Sequence, residues 1–495
     1  MNSDGTKKAY SISPGIMSVI RNTSYILSGQ GVQFGVRFIY AIILARALGP
    51  HDYGLIAYGT SMYLAIMPLS KLGIEHVVIR AIGCDRENGK KLLQSAQPLR
   101  KVSTYLTAIL FGAATYTLES DPQTSLILAC FSLALLGRSF AAWHTALFTA
   151  YEANQFFFRL QAIFRPLEIV LGLFALLLWR DPLSVVIAHA ATWWAEVFFG
   201  TLILQKHFSI PSGVWNRKDS KTILTEAIPI GVAASLSLML TQGPLIIFKN
   251  MNGPGDATGN LALAMQIFAI LSQLPIAANN ASYPVLSRII ARGDGKENFF
   301  IETMLRLIIF WGSLLALTAM ALGSNLVVLV FGSRYAHAGH LIGMTIWMMI
   351  PWSAMNALSK VQMARQKARA NLIFLIIGVL CFTISAVPAT RLLGVNGPIT
   401  AVLFGMTVTS LLLLISVNYD GKIQYMTAVV RPIIVLSVSV LTYYLLCSQG
   451  DWIRLIASNF VFISCWILFK CVTSNEISIM MDILRNSKHT KRINS

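Results

Sequence analysis

The feature that most constrains this chain is a succession of long apolar runs separated by short polar turns. They fall at about residues 23–48, 54–80, 102–118, 123–148, 157–179 and 183–204, then 223–248, 261–287, 305–331, 341–359, 371–390 and 396–417, and finally 432–447 and 453–470. A helix crosses the hydrocarbon core of a bilayer in about 20 residues, so about fourteen crossings use up most of the 495 residues. The expected fold class is an all-α polytopic membrane protein of about fourteen transmembrane helices, because helices satisfy their own backbone groups in lipid. Composition agrees, with 55% hydrophobic residues, 12% charged residues and a mean hydropathy of +0.64, against roughly 25% charged residues in soluble domains. A soluble enzyme is excluded, and no connection has room for a catalytic domain outside the membrane. The first twenty residues are polar and the run after them is too long for the apolar core of a signal peptide, so it is expected to remain as the first membrane helix.

The positions of the basic residues give the orientation. With the amino terminus in the cytoplasm, only Arg46, Arg180, Lys249, Arg334, Arg391 and Arg454 of the 39 Lys and Arg residues fall in connections on the far side. Five more lie inside apolar runs, and all the rest fall on the cytoplasmic side, as the positive-inside rule requires. Both termini are therefore expected in the cytoplasm. The net charge of +18 is then mostly topological and calls for no nucleic acid. Clusters such as Arg365, Lys367 and Arg369 are anchors for anionic membrane lipids before they are anything else.

The chain repeats itself. Gly49-Pro50-x-Asp52-x-Gly54 returns as Gly253-Pro254-x-Asp256-x-x-Gly259, Asp85-x-Glu87-Asn88 as Asp294-x-x-Glu297-Asn298, and Leu99-Arg100 as Leu305-Arg306, in order and at nearly constant offset. Six runs separate the copies, so two six-helix bundles of like orientation are expected, related by a pseudo-two-fold axis along the membrane normal and enclosing a cleft. The expected divisions are a cytoplasmic N-tail (1–22), an N-terminal bundle (23–204), a cytoplasmic connector (205–222), a C-terminal bundle (223–417), an additional helix pair (432–470) and a cytoplasmic C-tail (471–495). The Gly-Pro-x-Asp turns read as structural, Pro setting φ and Asp available to cap the next helix. Pro229, Pro244, Pro275 and Pro284 mark runs seven and eight as bent.

Charges inside the membrane are costly and each needs a reason. The first bundle holds Arg37, Lys71, Glu75, Arg80, Arg138, Arg165, Glu168 and Glu196, whereas the second has only Glu226 near a cytoplasmic end, Arg306 at the start of run nine being counted with the cytoplasmic connection before it. The excess is cationic, so this interior favours an anion. Arg37 and Arg138 lie near the centres of runs one and four and are the first candidates for substrate contact, with Arg165 a third cavity cation. Each could instead be satisfied by a carbonyl or a glutamate. Arg165 and Glu168 share a helix face and could neutralise one another, and Pro166 between them loosens that helix. Lys71, Glu75 and Arg80 are near a helix end, where long side chains snorkel. Glu196 is the least obviously paired acid, and Glu196 or Glu168 is the candidate carrier of a coupling ion. His144 and His189 lack metal-ligand spacing and read as helix–helix hydrogen bonds. In the second bundle Gln242, Gln266, Gln273, Asn279 and Asn280 offer neutral hydrogen bonds to sugar hydroxyls or to neighbouring helices.

Missing motifs narrow the reading. There is no Gly-x-x-x-x-Gly-Lys-Ser/Thr loop, no His-Glu-x-x-His and no Gly-x-Ser-x-Gly, and the six cysteines form no Cys-x-x-Cys pair. No metal, cofactor or enzymatic activity is expected, and a secondary transporter is the default.

The stretch Leu44-Ala45-Arg46-Ala47-Leu48-Gly49-Pro50-x-Asp52-Tyr53-Gly54, with Leu72-Gly73-Ile74 after it and Tyr283-Pro284-x-Leu286-Ser287 in run eight, resembles the polysaccharide transporter family. These are the Wzx-type flippases of the multidrug/oligosaccharidyl-lipid/polysaccharide exporter superfamily. The resemblance implies a two-lobed, alternating-access carrier of the cytoplasmic (inner) membrane that flips a polyprenyl-diphosphate-linked oligosaccharide for O-antigen or exopolysaccharide synthesis. It also implies ion-gradient coupling, with a polysaccharide polymerase and chain-length machinery as protein partners. Cavity-lining cations are a family feature that Arg37 and Arg138 match in residue type and depth. The alternatives are a lipid II flippase, a multidrug cation antiporter, which calls for an acidic cavity, and a membrane glycan polymerase, which calls for a large external loop.

Overall fold

The computed structural model describes residues 14–252, 255–292, 296–418 and 423–471, and among them every regular element is helical. Gly253, Pro254, Asp294, most of the N-tail and the C-tail from 472 lie outside the described residues. Among the described residues all fourteen apolar runs are helical, the second, eighth and tenth each in more than one piece, and eleven stretches are long and apolar enough to cross a membrane. Two of those stretches, Arg21–Lys71 and Arg369–Val417, each hold two runs.

The chain divides into two compact units. The first runs through Leu48 and from Met62 to Ser235, and the second comprises Gly49–Ser61 and everything from Leu236. The first unit contains most of α1 (Pro14–Lys71), then α2 (Ile74–Cys84), α3 (Arg86–Leu118), α4 (Pro122–Ala150), α5 (Asn154–Trp179), α6 (Pro182–His207) and the start of α7 (Arg217–Asn252). The second continues with α8 (Asp256–Leu271), α9 (Gln273–Arg292), α10 (Lys296–Phe331), α11 (Ala336–Thr345), α12 (Met349–Ala364), α13 (Ala368–Leu393), α14 (Gly397–Val417), α15 (Arg431–Leu445) and α16 (Asp451–Leu468).

Helix starts follow local chemistry. Asp121 and Asp181 each precede a proline at the first helical position and accept from the backbone N–H of Thr124 and Ser184, both at 2.9 Å, the arrangement in which Pro loses no bond and Asp satisfies an orphan donor. Asp85 caps α3 in the same way, accepting from Glu87 N at 2.9 Å and Asn88 N at 3.3 Å. The backbone donors of Asn88 and Glu87 hold its exposed carboxyl below the usual carboxylate range.

The repeated turns differ from expectation. Asp52 sits within α1 beyond the bend at Gly49 (φ 79°) and meets His51 Nδ1 at 2.9 Å, while Asp256 is the first residue of α8, where its charge complements the helix dipole. At the first the chain bends at Gly49, and at the second Gly255 rather than Asp256 occupies the N-cap position. The two turns pack on one another: a Cβ on Gly54 would lie 2.9 Å from Gly259 N. The third repeated pair is also matched in burial, Arg100 and Arg306 being 1% and 3% exposed.

Run two does not continue to residue 80. It stops at Leu72 and Gly73, both left-handed at φ 49° and 76°, because α7 passes too close for a side chain there. A Cβ on Gly73 would strike the Ala227 carbonyl, and one on Gly231 would lie 2.7 Å from the Leu72 backbone. The chain resumes as α2, whose Ile74, Val77, Val78 and Ile82 are buried against a core shared with α3, α4 and α7. Helix α7 runs unbroken to Asn252 past Pro229 and Pro244, and run eight is split at Ser272 into α8 and α9. The final pair packs on α10 through Val435, Phe462 and Trp466.

Candidate functional site

The first unit gathers its ionic side chains into two groups. Helices α4 and α6 pack closely because residue 137 is glycine: a Cβ there would lie 3.0 Å from that of Trp193. This approach, with α5 alongside α6, brings Arg138, Arg165, Glu168, His189, Trp193 and Glu196 together. Tyr63 of α1 joins them, stacked on Phe131 with ring centroids 5.4 Å apart.

Arg165 is fully buried. One guanidinium nitrogen binds Glu168 at 2.5 Å and the other binds Glu196, and the guanidinium carbon lies 3.9 Å from the centre of the Trp193 ring. Gln161 donates to the second oxygen of Glu196 at 2.9 Å. The acid with no obvious partner in the sequence is thus held twice, by residues one helix away. The second oxygen of Glu168 lies 2.5 Å from His189 Nδ1, and the Trp193 indole donates to His189 Nε2 at 3.2 Å. His189 therefore does more than make a single interhelical bond. Pairing is what such burial demands, since an ion in a dry interior needs a counter-ion and hydrogen bonds on its remaining atoms.

Arg138 and Arg37 differ. Arg138 is half-buried, donates to the Tyr63 hydroxyl at 2.5 Å, and lies 5.2 Å and 5.5 Å from the ring centres of Trp193 and Tyr63. No described carboxylate pairs with it. Arg37, also half-buried, makes no hydrogen bond or ion pair with any described residue, yet lies in electrostatic range of Arg138, Tyr63, Glu168 and Arg165. Three arginines thus share a region with two glutamates, and the two arginines left without a carboxylate are the accessible ones.

The second group lies at the α1–α2 joint. Glu75 is shared by Lys71 at 3.4 Å and Arg100 at 3.2 Å. Arg100 also donates to the carbonyls of Ser70 and Ser139 at 2.6 Å and 2.7 Å, the first of them at the end of α1, where helical carbonyls lose their partners. Arg100 looks in the sequence like one more cytoplasmic loop charge; its recurrence as Arg306 was the signal that it is a core residue. Arg80 instead forms an exposed pair with Glu226.

Of the neutral candidates in the second unit, Gln273 bonds the Ala269 carbonyl within its own segment at 3.1 Å. Asn279 is buried, and its amide nitrogen has no partner among the described residues. The described residues contain no cluster of metal-ligating side chains.

A helical membrane scaffold whose polar interior is concentrated in one unit is the architecture of a polytopic transporter, and comparison with solved structures agrees at the level of fold. The chain is similar to a lipid II flippase MurJ in an inward closed conformation (TM-score 0.66, 15% identity, 91% of this chain and 98% of that one). It is also similar to an inward-facing multidrug resistance MATE family transporter of the MOP superfamily (TM-score 0.66, 10% identity, 80% and 97%). A third likeness is to a MOP superfamily transporter from Pyrococcus furiosus whose binding pocket is described as reversed in polarity (TM-score 0.54, 13% identity, 81% and 95%). No curated protein matches the chain. Residues 19–290 match the polysaccharide biosynthesis protein family. That match spans more than half of the sequence, and the chain belongs to this family.

Proposed function

We propose that this protein moves a polyprenyl-diphosphate-linked oligosaccharide across the cytoplasmic membrane by alternating access, coupled to an ion gradient, to supply polysaccharide or O-antigen assembly. The observation that carries this reading is the pair of arginines without a carboxylate among the described residues, Arg37 and Arg138, in a polar interior where Arg165, Lys71 and Arg100 each have a carboxylate partner. An uncompensated intramembrane cation costs about 2.5–3.5 kcal/mol even on the lenient insertion scale, and a transient anionic ligand would offset that cost. Arginine suits a diphosphate because its planar, permanently charged donors match phosphate oxygens in pairs. A cation antiporter would want the opposite sign.

In this reading Arg37 and Arg138 hold the diphosphate, Arg165 keeps the glutamates in place, and the Glu168 and Glu196 network is where the coupling ion acts. Both termini face the cytoplasm, and a polymerase and chain-length machinery would take up the flipped product on the opposite side. The same arginines would serve a lipid II flippase, the function named for one structural neighbour. Deleting the gene and labelling lipid-linked glycans by leaflet tests the proposal: a polysaccharide repeat unit should build up on the cytoplasmic side. Build-up of lipid II instead would transfer the assignment to that cargo, and normal externalisation with failed chain growth would point to a polymerase.

A further inference from the structure

Within the ionic network of the first unit, one group is held in a defined protonation state by its neighbours, and its state is readable from donors alone. Indole nitrogen can only donate, so the Trp193 contact to His189 Nε2 at 3.2 Å makes that nitrogen an acceptor. The ring proton must then be on Nδ1, where it is donated to Glu168 at 2.5 Å. The Tyr63 hydroxyl already accepts from Arg138 at 2.5 Å, so its own proton is available to His189 Nε2, 3.5 Å away. The Nε2 lone pair thus faces two donors.

We propose that His189 Nε2 is the site that binds the coupling proton, and that Trp193 and Tyr63 transmit its occupancy to Arg138. This rests on the reading of Arg138 as a cargo contact in ion-coupled transport. A proton on Nε2 leaves the Nδ1 bond to Glu168 intact and turns Nε2 into a donor. Tyr63 accommodates the change by rotating its hydroxyl proton away and accepting. Trp193 cannot, because it has no acceptor to offer, and two N–H groups then face each other. The indole must move, and both arginines rest on it: Arg165 at 3.9 Å and Arg138 at 5.2 Å from its ring centre. Arg165 is tethered by two glutamates, whereas among the described residues Arg138 is held by the Tyr63 hydroxyl and the Tyr63 and Trp193 rings. Arg138 is therefore the group the proton releases.

The charges that act on His189 come from every side: Glu168 and Arg165 from α5, Arg37 from α1, Arg138 from α4 beyond Tyr63, and Glu196 further along its own helix. Glu168 offsets the charge of an imidazolium. Arg165 is itself offset by Glu196.

The test uses the full-length protein in lipid nanodiscs, labelled with ¹⁵N-histidine, the His189 signals being assigned by their loss in His189→Gln. At high pH the ring should show the uncommon tautomer protonated on Nδ1, and on acidification it should become the imidazolium. Trp193→Phe keeps an aromatic face but removes a donor that favours the neutral ring, so His189 should take up its proton at higher pH. Finding the Nε2-protonated tautomer, or an unmoved midpoint in Trp193→Phe, overturns the proposal. In the same discs farnesyl diphosphate should bind about ten-fold tighter to wild type below the His189 midpoint than above it, and within about two-fold in His189→Gln. A wild-type pH dependence that survives in His189→Gln and vanishes in Glu196→Gln would place the proton on the glutamate. If farnesyl diphosphate does not bind wild type at either pH, the reading of Arg138 as a diphosphate contact fails, while the tautomer and its response to Trp193→Phe still decide where the proton goes.

Discussion

At the residue scale, this interior is organised by which arginines have carboxylates and which do not. Arg165 is inseparable from its two glutamates. Removing one partner of such a buried cluster leaves an uncompensated charge, at a cost of about 3–5 kcal/mol. Arg165→Leu is therefore expected to lower the thermal midpoint of the detergent-purified protein sharply, and the double variant Glu168→Gln with Glu196→Gln to be as harmful because it strands the arginine. Arg37→Ala and Arg138→Ala break no ion pair among the described residues. They should insert and unfold like wild type while losing transport, measured as cytoplasmic-leaflet accumulation of the lipid-linked glycan. Wild-type export by both would end their assignment as cargo contacts. Some of this was legible in the sequence. Arg165 and Glu168 are three apart on a helix and must be neighbours. The partners of Glu196 were not, because Gln161 and Arg165 reach it across a helix–helix contact that one-dimensional spacing does not encode. Tyr63 gave no signal at all, since an aromatic in an apolar run looks like core.

At the element scale, the apolar runs located the helices, and the errors fell at joints. The run ending at residue 80 reads as one continuous span, yet two left-handed residues divide it, and the reason lies in α7. Gly73→Ala should be destabilising by at least the roughly 1–3 kcal/mol of a strained backbone position, with the added clash against Ala227. Gly35→Ala, where an added Cβ meets nothing within 4 Å, should be neutral or mildly stabilising, since alanine favours helix more than glycine does. Thermal melts of the two variants compare the sites directly. The α3 start makes a pH prediction. The folded-state carboxyl of Asp85 titrates below its unfolded value, so its stabilisation is present above the unfolded carboxylate range and is lost as pH falls through the depressed folded value. Exchange of the Glu87 and Asn88 amides should speed up in Asp85→Ala at neutral pH, and acidification should add further opening at those amides only in wild type.

At the scale of the whole molecule, the charge distribution predicts an orientation that two native thiols can report. Cys84 and Cys447 are both exposed, the first next to a basic connection and the second in the turn between α15 and α16. With both termini in the cytoplasm, a membrane-impermeant maleimide applied to intact cells should label Cys447 in Cys84→Ser and spare Cys84 in Cys447→Ser, until the membrane is permeabilised. The reverse pattern would invert the topology. Internal duplication was visible in three short motifs, and the burial of both Arg100 and Arg306 matches what they suggested. The division of the chain was less visible. Unit one gives up Gly49–Ser61 and continues into α7 as far as Ser235, so all three boundaries fall inside α1 or α7, where no composition shift marks them.

By itself the sequence determined that this chain lives in a membrane as helices, because runs of apolar residues of bilayer length admit no other satisfied backbone. It also determined that the first half carries the intramembrane charge. Only the tertiary structure decided which charges cancel. A helix face fixes neighbours three and four residues apart, but the pairing of Arg165 with Glu196, the bonds of Arg100 to the Ser70 and Ser139 carbonyls and the lack of a carboxylate beside Arg138 among the described residues depend on how closely helices approach. That approach is set at glycines and joints beside the charges, Gly137 next to Arg138 and Gly73 between Lys71 and Glu75.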